Sequence, residues 1–148
     1  MLPFQLRPLT ADDLDALVEL DRDPEVMRFI NGGQPTPRAL YVELLLPRML
    51  AAATRPGLGF FAIESAEAGF LGWVHLRLDS FEPSWAELGY RLARPFWGQG
   101  VATGASRVLA RRLFPGRVRV PSSWLEVYRR TWITPGIPNS LHQLQRAY

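Results

Sequence analysis

The chain of 148 residues has no cysteine and no lysine. Without cysteine there can be no disulfide and no thiolate metal site, and two isolated histidines, His75 and His142, leave too few soft ligands for a metal cluster. No run approaches the ~20 apolar residues that span a bilayer. The opening from Met1 to Arg7 lacks the charged leader and apolar stretch of a signal peptide, so a cytoplasmic protein without membrane contact is expected. Acidic residues are scarce in one half only. Residues 1–93 hold thirteen acids and eight arginines, whereas residues 94–148 hold nine arginines and one acid, Glu126. A basic half can draw phosphate-bearing ligands or nucleic acid, or it can be a solvated arginine-rich surface. Chemistry in such a chain has to come from carboxylates, hydroxyls and backbone groups. Apolar residues make up 47% of the sequence, enough for one domain over residues 1–148 with a single core.

Local patterns give an order of elements. Phe4 to Arg7 alternates as a short half-buried strand does. Thr10 followed by Asp13 is an aspartate version of the capping box, and Leu14, Leu17 and Val18 supply the apolar face of the helix it starts. Asp23-Pro24 restarts a helix as N-cap and first helical residue, with Val26, Met27, Phe29 and Ile30 as its core contacts. Asn31 to Pro35 is predicted to be a loop, and Thr36-Pro37 repeats the cap-plus-proline start for a helix that bears Leu40, Leu44 and Met49. Pro47 should kink or end that helix. From Gly59 the period becomes that of strands: Phe60 to Ile63, Phe70 to Leu78 and Trp85 to Leu92, joined by short turns as an antiparallel meander. Val101, Ala105, Val108, Leu109 and Leu113 then recur at helical spacing. The expected class is α+β, or mixed α/β: a central, mostly antiparallel sheet flanked by helices.

The informative stretch runs from Glu87 to Ala105. It is a strand that passes through the turn Trp97-Gly98-Gln99-Gly100 into an amphipathic helix beginning Val101-Ala102-Thr103. Four amides at a helix start lack internal partners and stand at the positive end of the helix dipole, so the turn can cradle a diphosphate. Gly98 and Gly100 would let the main chain approach it closely.

This stretch resembles the acetyl-CoA-binding motif of the GNAT superfamily of N-acetyltransferases, whose pattern is Gln or Arg, two residues, Gly, one residue, Gly or Ala. Trp97 occupies the first position, Gly100 the fourth and Ala102 the sixth. Tryptophan there is similar to the branch containing the ribosomal-protein N-terminal acetyltransferases, as are Asp23 to Phe29, Leu6 to Leu9 and Gly32-Gly33. The resemblance covers residues 4 to 114. It implies acetyl-CoA as cosubstrate, with the main chain of Tyr90, Arg91 and Leu92 along the pantetheine arm. Gln99, Gly100, Val101, Ala102 and Thr103 would bind the pyrophosphate through their amides. Arg94 either meets phosphate or is an exposed loop arginine. The acceptor implied is a primary amine, on a small molecule or a peptide N-terminus, and its attack needs a base. Glu87 is the candidate, acting directly or through water, unless it is a solvent-facing or salt-bridged glutamate, for instance to Arg91. His75 is a second titratable group on the neighbouring strand, where a lone histidine is more often structural.

Beyond residue 114 the pattern fades. Trp124 to Tyr128 can be a strand, Thr134 to Pro138 a loop and Ser140 to Tyr148 a helix, but Ile137 and Leu144 stand where the family has asparagine and tyrosine. Residues 115–148 are therefore read as divergent or truncated, with homodimerisation across an exposed sheet edge as one way to complete the fold. Two rival functions follow. One is a CoA-binding protein of the same fold without transfer activity; the other is an arginine-rich nucleic-acid module using Trp124, Tyr128 and Trp132, which no recognised nucleic-acid motif accompanies.

Overall fold

The structure, a computed structural model, describes residues 2–78 and 86–113. Trp85 and the expectations placed on Trp124 to Tyr128, Thr134 to Pro138, Ser140 to Tyr148, Ile137, His142 and Leu144 lie outside those residues. Strand β1 (Gln5–Pro8) leads through one tight 3-10 turn (Ala11–Asp13) into α1 (Leu14–Leu20). Asp13 accepts the Thr10 amide at 2.8 Å, and both its oxygens receive the Arg7 guanidinium at 2.8 and 2.6 Å. Arg7 also bonds Glu64 at 2.7 Å, so one side chain joins the helix start to two strands.

Helix α2 (Pro24–Asn31) starts as its sequence requires, with Asp23 accepting the Glu25 amide at 2.9 Å and proline in the first turn. Its buried face is Val26 and Met27; Phe29 is 44% exposed and is not the core contact that its composition suggested. Phe29 lies two residues beyond Met27, roughly 160° around the helix, and so turns outward, whereas Ile30, three and four residues beyond Met27 and Val26, is half-buried. The next helical stretch comprises α3 (Arg38–Leu40), a wide π turn (Tyr41–Leu45) and α4 (Leu46–Ala51). Pro47 does not end this helix. It sits in the first turn of α4, and the wide turn before it absorbs the hydrogen bond that proline cannot donate. The same widening rotates the buried face, so Tyr41, Leu46 and Met49 are inside and Leu40 and Leu44 outside. Thr36 is not the cap either, because its hydroxyl bonds Asp21 instead.

Strands β2 (Gly59–Ser65), β3 (Gly69–Leu78) and β4 (Ala86–Leu92) form the expected meander, and β1 pairs with β2, giving the antiparallel order β1-β2-β3-β4. Alternation divides the sheet into two faces. Ala62 and Trp73 pack with Leu17, Val18, Val26, Tyr41 and Met49 under the first four helices. Phe61, Ile63, Val74, Leu76 and Leu92 pack on the other face against Val101, Ala105 and Leu109 of α5 (Val101–Leu113). Each buried aliphatic side chain adds roughly 1.5–3 kcal/mol to this packing. Among the described residues no helix is long and apolar enough to cross a membrane.

Candidate active site

After Leu92 the chain leaves the sheet through a short 3-10 turn (Arg94–Phe96) and reverses at Gly98 and Gly100 before α5. Both glycines have positive φ, 73° and 77°, a region costly for residues with a Cβ. Nothing lies within 4 Å of where a Cβ on Gly98 would stand, so at Gly98 the conformation and not the space selects glycine. The Gly104 amide bonds the Gly100 carbonyl at 2.9 Å as the helical ladder begins. The amides of Val101, Ala102 and Thr103 precede that ladder and gather at the positive end of a 13-residue helix. Gly98, Gln99 and Gly100 are exposed, while Val101 and Ala105 anchor the helix start in the core. A diphosphate fits this cradle: bare main chain, open space and a positive helix end.

Trp97 contributes through its side chain. Its indole N–H bonds the Leu92 carbonyl at 2.6 Å, fastening the turn to the end of β4. Gln99 donates to the Pro95 carbonyl at 2.8 Å. Arg94 is exposed and turned toward Asp23, 3.1 Å away.

The strand positions that alternate with Leu88, Tyr90 and Leu92 put Glu87, Gly89 and Arg91 on the face under the first four helices, opposite α5. Across β3 they meet Arg77, His75 and Trp73 respectively. Glu87 is buried, and its Oε2 receives Arg77 Nε at 2.8 Å and Nη2 at 2.7 Å. Its ion partner is therefore Arg77 and not Arg91. His75 Nε2 stands 3.6 Å from Glu87 Oε1, beyond hydrogen-bond length but close enough for an ion pair. The imidazole lies over Gly89: a Cβ there would come within 2.5 Å of His75 Cε1. Phe60 and Trp73 pack on the ring at centroid distances of 4.6 and 5.6 Å. Burial lowers the His75 pKa below its ordinary value, more than Glu87 raises it. For Glu87, burial pushes upward but is outweighed by His75 and Arg77, which hold the carboxyl below its usual range.

These directions fix how stability should respond to acid. Unfolded His75 takes up a proton near pH 6.5, before the folded form does, so its contribution is complete above that pH and shrinks as pH falls below it. Glu87 repeats the pattern lower down, losing its contribution as pH falls from about 4.5 through its lowered folded value. Urea midpoints at pH 7.5 and 5.5 should differ in the wild type and converge in His75→Gln. Equal wild-type midpoints would contradict a buried neutral imidazole.

A second cluster was not legible in the sequence. Asp21, at the end of α1 and fully buried, accepts Arg91 Nη1 at 2.7 Å on one oxygen. Its other oxygen accepts the hydroxyls of Thr36 at 2.5 Å and Tyr41 at 2.7 Å. The Arg91 guanidinium also stands 5.2 Å from the Trp73 ring. Arg91 thus lends its side chain to a hub joining β4 to α1, the loop before α3 and the wide turn. The one available signal was a carboxylate just before the Asp23-Pro24 helix start, and nothing in spacing connects it to residues 15, 20 and 70 positions away.

The acetyltransferase (GNAT) domain family model matches residues 4–130, beyond the point where motif reading loses the pattern. The FsC-acetyl coenzyme A-N(2)-transacetylase of Aspergillus fumigatus is 32% identical over 118 residues, 75% of this chain and 50% of that protein. The chain thus spans about half the length of this curated relative. Among solved structures, spermidine N-acetyltransferase from Vibrio cholerae in complex with CoA and spermine aligns with a TM-score of 0.55 and 22% identity, over 74% of this chain and 63% of that one. A phosphinothricin acetyltransferase from Sinorhizobium meliloti in complex with AcCoA gives 0.53 and 16%, over 74% and 58%. At these identities the structural likeness establishes the fold.

Proposed function

The chain belongs to the acetyltransferase (GNAT) domain family, and from that premise we propose that it is an N-acetyltransferase moving an acetyl group from acetyl-CoA to a primary amine. The observation that carries this reading is the cradle of amides at the start of α5, set directly after the end of β4. In it Gln99, Gly100, Val101, Ala102 and Thr103 hold the pyrophosphate, and Tyr90, Arg91 and Leu92 present main chain to the pantetheine arm. Trp97 and Gly98 shape the turn between them. Holding both reactants in register supplies much of the rate in such a reaction. Glu87 is the base that receives the amine's proton, directly or through water.

For the acceptor, the relatives favour a small amine: one is named for an N(2) transacetylation and another is held with spermine. The Trp97-Gly98 likeness to the ribosomal-protein branch keeps a peptide N-terminus as the other class to test. The reading is of one cytoplasmic acetyltransferase domain over residues 1–148, with its divergent part after residue 114.

Acetyl-CoA at a hundred times its Kd should stabilise the folded protein by about 2.7 kcal/mol. For a domain of this size that raises Tm by roughly 5–10 °C. Thiol release from acetyl-CoA should then appear with some members of a panel of polyamines, amino acids and N-terminal peptides. No thermal shift would sink the cofactor assignment; a shift without thiol release from any amine would leave a CoA-binding protein that does not transfer.

A further inference from the structure

Glu87 presents a difficulty as a base acting alone. Its carboxylate is gripped by Arg77 through two nitrogens, and groups so held are poor proton acceptors. Behind it, however, stands an imidazole whose two ring nitrogens are buried and have no hydrogen-bond partner. Buried polar atoms in folded proteins are nearly always paired, so two unpaired ones on a single buried ring call for a cause. The placement is also specific. The ring takes the space above Gly89 that any other residue's Cβ would enter, and its Nε2 is directed to within 3.6 Å of the Glu87 oxygen that Arg77 leaves free.

We propose that His75 is the resting place of the acceptor amine's proton, reached through the Glu87 carboxylate. The inference rests on the acyl-transfer reading above. In this step the amine nitrogen bonds the acetyl carbon and loses a proton to Glu87. The proton passes from Oε1 to the lone pair of His75 Nε2, the Nδ1 proton staying in place. The carbon–sulfur bond then breaks with its electron pair on sulfur, and the proton returns by the same carboxylate to the thiolate, restoring neutral His75. Between the two transfers the imidazolium faces an ionised Glu87, an ion pair in a site of low polarity. The charged groups facing His75 are Glu87 on β4, which favours its protonation, and Arg77 on β3 and Arg91 on β4, which oppose it. From β2 the Phe60 ring packs on it.

The alternative is a histidine that merely fills space between Phe60 and Trp73. His75→Gln keeps polarity and approximate size but cannot titrate. It should lower kcat about a hundredfold, with acetyl-CoA affinity unchanged, and should abolish the acid limb of the wild-type pH profile near the His75 pKa. Gly89→Ala, which adds no ionisable group, should displace the ring and lower kcat similarly. A nuclear magnetic resonance titration needs no turnover: the His75 imidazole should titrate at lower pH in Glu87→Gln than in the wild type, because a carboxylate that favours protonation is gone. Wild-type kcat and an unmoved acid limb in folded His75→Gln, or identical His75 titration in Glu87→Gln, would overturn the proposal while leaving acetyl transfer intact. A wild type that binds acetyl-CoA but acetylates no amine would remove the transfer reading, and this one with it.

Discussion

Gly100→Asp should lose at least a hundredfold in affinity for CoA. Gly100 adopts a positive φ of 77° and immediately precedes the amides of Val101, Ala102 and Thr103, so a side chain there stands next to the cradle. A carboxylate there meets the diphosphate as a like charge, which costs several kcal/mol, and each 1.4 kcal/mol is tenfold in Kd. Aspartate tolerates the left-handed region better than most residues, so the fold should survive. Gly100→Asn, of nearly the same shape without the charge, should bind CoA better than Gly100→Asp, separating repulsion from obstruction. Calorimetric titration of both variants with CoA decides the matter. A folded Gly100→Asp that retains wild-type Kd would show that the phosphates lie elsewhere.

The second large effect concerns stability. Asp21→Ala removes the acceptor of one guanidinium and two hydroxyls at a position with no solvent exposure. Breaking a buried ion pair by deleting one partner costs about 3–5 kcal/mol, because the remaining charge is buried uncompensated. Arg91, only 14% exposed at its side chain, would be that charge. A loss of this size corresponds to a Tm lower by roughly 6–20 °C for a domain of this length. Arg91→Met in the Asp21→Ala background should recover part of it, since an apolar side chain leaves nothing unpaired. If Asp21→Ala melts within a degree or two of the wild type, the cluster is an arrangement of surface-like contacts and not a structural hub.

How far the sequence reveals the molecule differs between elements for physical reasons. The meander and α5 are legible because alternation in β3 and β4 sorts residues onto the two covered faces of the sheet, and the spacing of Val101, Ala105 and Leu109 marks the buried side of the helix. The glycine turn is legible because positive φ selects a residue type. The buried face of helices α3 and α4 is not legible because the wide turn at Tyr41–Leu45 shifts the period, and no residue identity announces that shift. Glu87 is placed on its correct face by alternation, but its partner is not, because cross-strand pairing depends on register. Once Arg77 is known to face Glu87, and Gly89 to face His75, the pairing of a bulky ring with a glycine explains itself. The Asp21 hub is invisible for the most general reason: it joins residues that only the folded chain brings together.

That hub also ties the segment between α2 and α3 to the strand β4. The segment between α2 and α3 is pinned at one end by Asn31, whose side-chain amide both donates to and accepts from the main chain of Gln34, and at the other by Thr36 on Asp21. Only Gly32, Gly33, Gln34 and Pro35 lie between those anchors, and the farther anchor is shared with Arg91 on the strand proposed to line the pantetheine arm. A library that varies residues 32–35 therefore changes a short segment held at both ends while the Asp21–Arg91 anchor stays in place. One that replaces Thr36 removes a donor to the carboxylate that holds Arg91, so its effects reach the strand proposed to line the pantetheine arm.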